Sequence, residues 1–358
     1  MKNKYPLKYV GWQIGITYQV KNKEGVNKDY LKNLLIEMKE NGMNFISFMM
    51  ISYAFFDPKH DGYAWPVKNP RLKCYQDSCC VNANPKTEFL REIITQAKEL
   101  QFHVQLMMNW GIWNPTKIVV GYPKAQVQID SEGKTGGWVH CPDNKDAWQC
   151  GLDEVEDLLT YYSEGIDSYA FECIRYEGWN YCFCPDTKRK FYKETGVNLE
   201  RGIPTLTHQW KATNIFRHLK EYVLHIKKIC PLIQTWLFTK GEPERYHLPH
   251  LLSKAGLDGI IPQFHFLTKE CQIAMLMEYL RLSDIPLIIH FDTRKPFTNY
   301  PIPRKTPRLI QNIGDWIIKN GNENLKGVLF FNEVATPKEN KEAVYKVVRK
   351  WRKNGLLE

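Results

Sequence analysis

The segment IDSYAFECIRYEGWN (166–180) starts as an apolar run and then presents Glu172, Arg175, Glu177 and Trp179 in close succession. A strand that only fills a core has no use for two carboxylates and a guanidinium at its end, because burying charge without partners is costly. Chemically similar groups end other apolar runs. Trp12 and Gln13 lie in YVGWQIGI, Asn109 and Trp110 close HVQLMMNW, and Trp236 lies in LIQTWLFT. Gln263 and His265 end DGIIPQFHF, His290 and Asp292 end PLIIHFDT, and Glu333 ends KGVLFFNE.

Gathered around one cavity, these groups suit sugar chemistry. Indole faces stack on the C–H faces of pyranose rings, while amides, imidazoles and guanidinium groups bond hydroxyls. Hydrolysis of a glycosidic bond needs a pair of carboxyl groups, one protonating the leaving oxygen and the other attacking or activating water. Glu172, Asp292 and Glu333 are the candidate catalytic residues. Trp12, Gln13, Asn109, Trp110, Arg175, Glu177, Trp236, Gln263, His265 and His290 are the candidate substrate contacts, with Glu177 also placed to serve as the acid. Each has a structural alternative: Glu172 pairing Arg175, Asp292 pairing Arg294, Glu333 capping the helix that follows, Glu177 in a turn, and the tryptophans packed inside the fold.

Something must bring these strand ends together. Eight apolar, β-forming runs, at 9–16, 44–51, 103–109, 166–174, 232–239, 258–266, 286–293 and 326–333, alternate with helical patterns such as KDYLKNLLIEMKENG, KTEFLREIITQAKEL and TPRLIQNIGDWIIKNG. Near-continuous apolar strands joined by crossover helices predict a parallel sheet covered on both faces, and eight such units predict a closed (β/α)8 TIM barrel, class α/β. The rival, an open doubly wound sheet, would show a glycine-rich turn after its first strand, and GWQIGITYQV has no GxGxxG. Helix-to-strand turns are tight, whereas the strand-to-helix connections at about 52–85, 110–152 and 177–205 are long. Insertions on the C-terminal side of barrel strands build a site on that face. A barrel of roughly 250 residues plus these insertions accounts for all 358 residues as one catalytic domain.

Composition narrows the function classes. Hydrophobic residues are 43% and charged ones 25%, a globular balance. The net charge of +10 comes from basic residues scattered along helical segments, which reads as solvated faces and not as a nucleic-acid surface. The N-terminal MKNKYPLKYVGW has no apolar run of signal-peptide type and no stretch is long enough for a membrane span, so a cytoplasmic protein with no membrane partner, monomeric or homodimeric, is expected. The ten cysteines then read mainly as free thiols, although CFC (182–184) and DSCC (77–80) lie in long loops where a structural zinc is the alternative. No cofactor is implied. A metal-dependent hydrolase remains a rival through His265, His290 and Asp292, but the first strand lacks the HxH pair that metal-dependent barrels present. A carbohydrate-binding barrel without catalysis is the other rival.

The segment FECIRYEGWNYCFCPDTKRKFYKETG (171–196) resembles one found in glycoside-hydrolase-like (β/α)8 barrel proteins, where an acidic strand end precedes an aromatic loop, a CFC or CYC element and a helix ending in F-x-x-x-x-G. The resemblance implies a catalytic or sugar-binding role for Glu172 and, further out, for Glu177. A third cysteine often follows CFC in such proteins, and here the position reads PDTK. The better known retaining β-glycosidases place Asn-Glu at the end of strand four and Glu at the end of strand seven. This chain has Phe171-Glu172 and HFDT instead, so no full acid/base and nucleophile assignment carries over.

Overall fold

The structure is a computed structural model that describes residues 5–16, 26–52, 60–111, 115–240, 247, 249–263, 269–282, 284–294 and 305–357. The apolar runs form strands β1 (Tyr9–Gly15), β2 (Phe45–Met49), β3 (His103–Asn109), β4 (Ser168–Glu172), β5 (Gln234–Lys240), β6 (Gly259–Gln263), β7 (Leu287–Asp292) and β8 (Leu325–Phe331). Each pairs in parallel with the next, and β8 closes on β1, giving the expected eight-stranded barrel.

Helices wrap the barrel for reasons visible in their sequences. The helix Lys28–Glu40 buries Leu31, Leu34, Leu35 and Met38, one face at helical spacing, and Asn27 caps it by accepting from the Tyr30 N–H. Thr306 caps Pro307–Asn320 in the same way, with proline in the first turn. The helices Leu90–Glu99, Lys145–Tyr162, Pro204–Ile229, Lys269–Leu282 and Lys338–Lys353 also belong to the outer layer, and a further helix, Pro185–Thr195, follows CFC in the loop after β4. No described helix is long and apolar enough to cross a membrane.

Alternation along the strands decides which side chains enter the lumen. Tyr9, Phe45, Met49, Met107, Ala170, Trp236, Phe238, Ile261, Ile288 and Leu329 fill it. Beneath the mouth the polar members of this set bond one another. Ser47 donates to Gln105 at 2.9 Å, Gln105 donates to Ser168 at 3.3 Å, and His103 Nε2 meets the Ser168 hydroxyl at 2.9 Å.

Three candidate tryptophans take the packed alternative and not the substrate-contact one. Trp236 packs edge-on against Tyr9, with ring centres 5.8 Å apart, in the lower half of the lumen. Gly259 makes room for it, since a Cβ there would lie 2.0 Å from the indole. Trp12 faces outward to Phe330 and Tyr345. Trp110 packs on Trp148 behind β3, and Gly151 admits it, a Cβ at that position falling 1.7 Å from the indole nitrogen. All three are core residues and none lines the mouth.

Candidate active site

The C-terminal rim of the barrel is polar because β3, β4, β6 and β7 each end with a lumenal polar residue and β1 carries Gln13 two residues before its end. Gln13, Asn109, Glu172, Gln263, His290 and Asp292 follow the same alternation that puts apolar residues below them. Asn109 lies beside Glu172 in register, and Gln263 beside His290. The Trp110 N–H donates to the Glu172 carbonyl at 3.0 Å, carrying the β3–β4 pairing past the strand ends.

Glu172 is 6% exposed. Gln263 Nε2 donates to its Oε2 at 2.9 Å, and Arg175 Nη1 approaches its Oε1 at 3.4 Å. The same guanidinium reaches Glu177 through Nε and Nη2, both at 3.0 Å. One buried arginine therefore spans two carboxylates, Glu172 inside the lumen and Glu177 at the rim. The intervening Cys173 has φ 75°, a left-handed conformation that costs a non-glycine residue about 1–2 kcal/mol and turns the chain sharply out of the strand.

Across the mouth, Asp292 accepts from the Arg294 backbone N–H at 2.9 Å, from Nε at 3.0 Å and from Nη2 at 2.7 Å. Arg294 lies over the Phe331 ring at 4.3 Å. His290 Nε2 and Gln13 Oε1 are 2.8 Å apart, so the imidazole donates there, and its ring sits between Phe238 and Phe331. Three amide atoms at this level, Gln13 Nε2, Asn109 Oδ1 and Gln263 Oε1, are buried with no hydrogen-bond partner among the described residues. Leaving such a group unsatisfied costs about 1–3 kcal/mol, so hydrogen-bonding capacity is concentrated here.

Glu333 does not join this group. Its chain leaves β8 through a short 3-10 turn, Glu333–Ala335, capped by Asn332. The carboxylate takes the Tyr30 hydroxyl and the Lys341 ammonium, the latter at 2.7 Å, so it faces the outer helices and not the lumen. His265 lies outside the described residues. The remaining members of the metal-hydrolase set, His290 and Asp292, are engaged by Gln13 and Arg294.

Sequence reasoning missed the residues that hold the rim in place. Gln128, fully buried on the hairpin Val127–Ile129 with Thr135–His140, donates to the Arg175 carbonyl at 2.7 Å and accepts from the Glu177 N–H at 2.9 Å. Asp143, also buried, takes the Tyr176 hydroxyl at 2.6 Å together with Lys190, Asn214 and His218. Burial pushes Lys211 down to about 8, while its ammonium holds the carbonyls of Trp179 and Tyr181 at 3.1 and 2.5 Å. Nothing local in the sequence marks these partners, since each acts across a long chain separation.

The thiols follow the same pattern. CFC acquires its third sulfur from Cys141: the Sγ atoms of Cys141, Cys182 and Cys184 lie within 4.8 Å of one another, all buried. The Thr187 hydroxyl is 3.2 Å from Cys141 Sγ and 3.3 Å from Cys184 Sγ, in the position the sequence leaves without a cysteine. Hydrogen bonds from Cys141 and Cys182 hold the Cys184 thiol below its ordinary value, whereas burial pushes Cys182 up. The donor set suits a thiophilic cation such as Zn²⁺. It is the one group of metal-ligating geometry among the described residues, and DSCC is not part of it.

No family model matches the sequence, and no curated protein matches it. Solved structures do match in fold. The glycoside hydrolase domain of PgaB (BpsB) from Bordetella bronchiseptica superposes with a TM-score of 0.68 at 13% identity, over 96% of this chain and 99% of that one. A β-galactosidase from Bacillus circulans sp. alkalophilus gives 0.68 at 14% identity over 99% of this chain, which spans 57% of the longer enzyme. The β-mannanase of the blue mussel Mytilus edulis gives 0.52 at 12% identity over 97% and 92% of the two chains. Likeness at such identities is likeness of fold, and the fold shared is the (β/α)8 barrel.

Proposed function

We propose that the barrel hydrolyses glycosidic bonds of a carbohydrate, with Glu172 at the end of β4 and Asp292 at the end of β7 as the carboxylate pair. The observation that carries this reading is the ring of unsatisfied amides, Gln13, Asn109 and Gln263, set around a lumenal carboxylate. A ligand with many hydroxyls offers each of these atoms a partner, and a barrel mouth is where such a ligand reaches strand-end carboxylates. Arg175 and Gln263 orient Glu172, and Arg294 fixes Asp292 from three directions. His290 lies on the strand that carries Asp292, beside the one that carries Gln263. Its imidazole and the three amides would bond the sugar hydroxyls, and the rim loop carrying Glu177 would close one side.

The test is turnover of α- and β-aryl glycosides by wild type, Glu172→Gln and Asp292→Asn. The variant lacking the acid keeps activity on aryl sugars whose leaving group needs no proton, and the variant lacking the nucleophile or base loses activity on all of them. Full activity in Glu172→Gln on every glycoside, those with poor leaving groups included, would sink the assignment.

One observation favours a second reading, a barrel that binds carbohydrate without cutting it: both lumenal carboxylates are engaged by arginines. A saccharide that raises the melting temperature of the wild type while no bond is cleaved would decide for it.

A further inference from the structure

Trp179 is 47% exposed, the only exposed tryptophan among the described residues. Its ring lies on His208 with centres 4.2 Å apart and planes 32° apart. The loop that carries it is fixed on every side. Glu177, just before it, is held by Arg175 and Gln128; its own carbonyl is held by Lys211; and the Asn180 side chain accepts from the Ser131 hydroxyl. Cys182 and Cys184, just after it, belong to the buried thiol cluster. A large apolar ring normally gains from burial. Here an indole is mounted on a rigid loop and left facing solvent, on the segment that leads outward from Glu172.

We propose that Trp179, braced by His208, is an outlying sugar subsite, so that the substrate is an oligo- or polysaccharide whose chain runs from the strand-end carboxylates past Glu177 to the indole. This rests on the glycosidase reading and adds the substrate class to it. A pre-ordered ring binds a pyranose face without the entropy cost of immobilising a mobile side chain. Sugars too short to span from Glu172 to the indole miss this contact.

Galacto-, manno- and chito-oligosaccharides of one to six units, titrated calorimetrically onto Glu172→Gln and onto Glu172→Gln with Trp179→Ala, test the proposal. The gain in affinity from the two-unit to the six-unit chain should fall about tenfold on loss of the indole, and Trp179→Tyr should retain most of it. The same contrast should appear in the kcat/KM ratio of long over short chains for wild type and Trp179→Ala. Chain-length gains identical in all variants overturn the subsite and leave the glycosidase reading standing. Length-dependent binding that needs Trp179 but occurs without cleavage by the wild type upholds the subsite and overturns hydrolysis. Absence of binding by all three series overturns both.

Discussion

Two polar layers cross the same barrel lumen, and they differ in whether their hydrogen bonds close. In the lower layer Ser47, Gln105, Ser168 and His103 bond one another, and Tyr9 and Trp236 both donate to Gln234. In the upper layer Gln13, Asn109 and Gln263 each keep a buried amide atom without a partner among the described residues. Residue type does not separate the layers, since both are rich in amides and each contains a histidine. A polar layer that satisfies itself is part of the scaffold, while one left open keeps the hydrogen-bonding capacity on which the proposed carbohydrate binding rests.

The sharpest way to break this comparison is to remove a charge from the upper layer. Glu172→Gln should lower kcat by about a thousandfold or more, equivalent to about 4 kcal/mol of transition-state stabilisation, with the denaturant midpoint nearly unchanged. Steady-state kinetics beside urea melts give both readings, and equal losses in the two would make Glu172 a scaffold residue.

The lower layer should show its importance through pH. Burial brings His103 down to about 4, against an ordinary value of 6.5, so it stays neutral in the folded barrel. The unfolded chain binds more protons between those values. Stability is therefore whole above pH 6.5 and falls by about 3 kcal/mol as the pH drops towards 4. His140, brought down to about 3 by burial, adds a loss of the same sign. Urea titrations at pH 7.5, 5.5 and 4.5 check the slope, which His103→Asn should flatten.

A matched pair of amide substitutions comes next. Gln105→Leu strips partners from Ser47 and Ser168 and should cost about 1–3 kcal/mol of stability with little change in KM. Asn109→Ala should leave stability intact and weaken saccharide binding by about tenfold, roughly 1.4 kcal/mol. If the two effects were exchanged, the distinction between closed and open layers would collapse.

The smallest effect concerns the thiols that brace the rim. Free Zn²⁺ at about ten times its Kd should stabilise the fold by about 1.4 kcal/mol, visible as a higher Tm, and Cys141→Ser should abolish the increment. Co²⁺ should give thiolate charge-transfer absorption in the wild type alone. A melting curve indifferent to the metal would leave the sulfurs as packed thiols.

Much of the barrel was legible because its strands are buried on both faces and so read as continuous apolar runs. All eight run within a few residues of where the pattern placed them. The site was legible only in part, as Glu172 and Glu333 show. Both follow aromatic residues at a strand end, in YAFE and FFNE. Glu172 continues the lumenal series of Ser168 and Ala170, whereas Phe331 takes the lumenal place on β8 and Glu333 turns out to Lys341. Trp12 and Trp110 failed as mouth residues through strand parity, each lying one residue off the lumenal series. Trp236 has lumenal parity but lies a layer too low.

The sequence by itself determined the eight strands, their order, the face that would carry the long loops and the carboxylate that ends β4. Those follow from hydrophobic periodicity and loop length, which are local properties. Only the tertiary structure decided which strand-end groups meet, that Gln128 clamps the rim, and that Cys141 completes a cluster with Cys182 and Cys184. These depend on strand register, barrel closure and contacts between residues far apart in the chain, which alternation within a single segment does not encode.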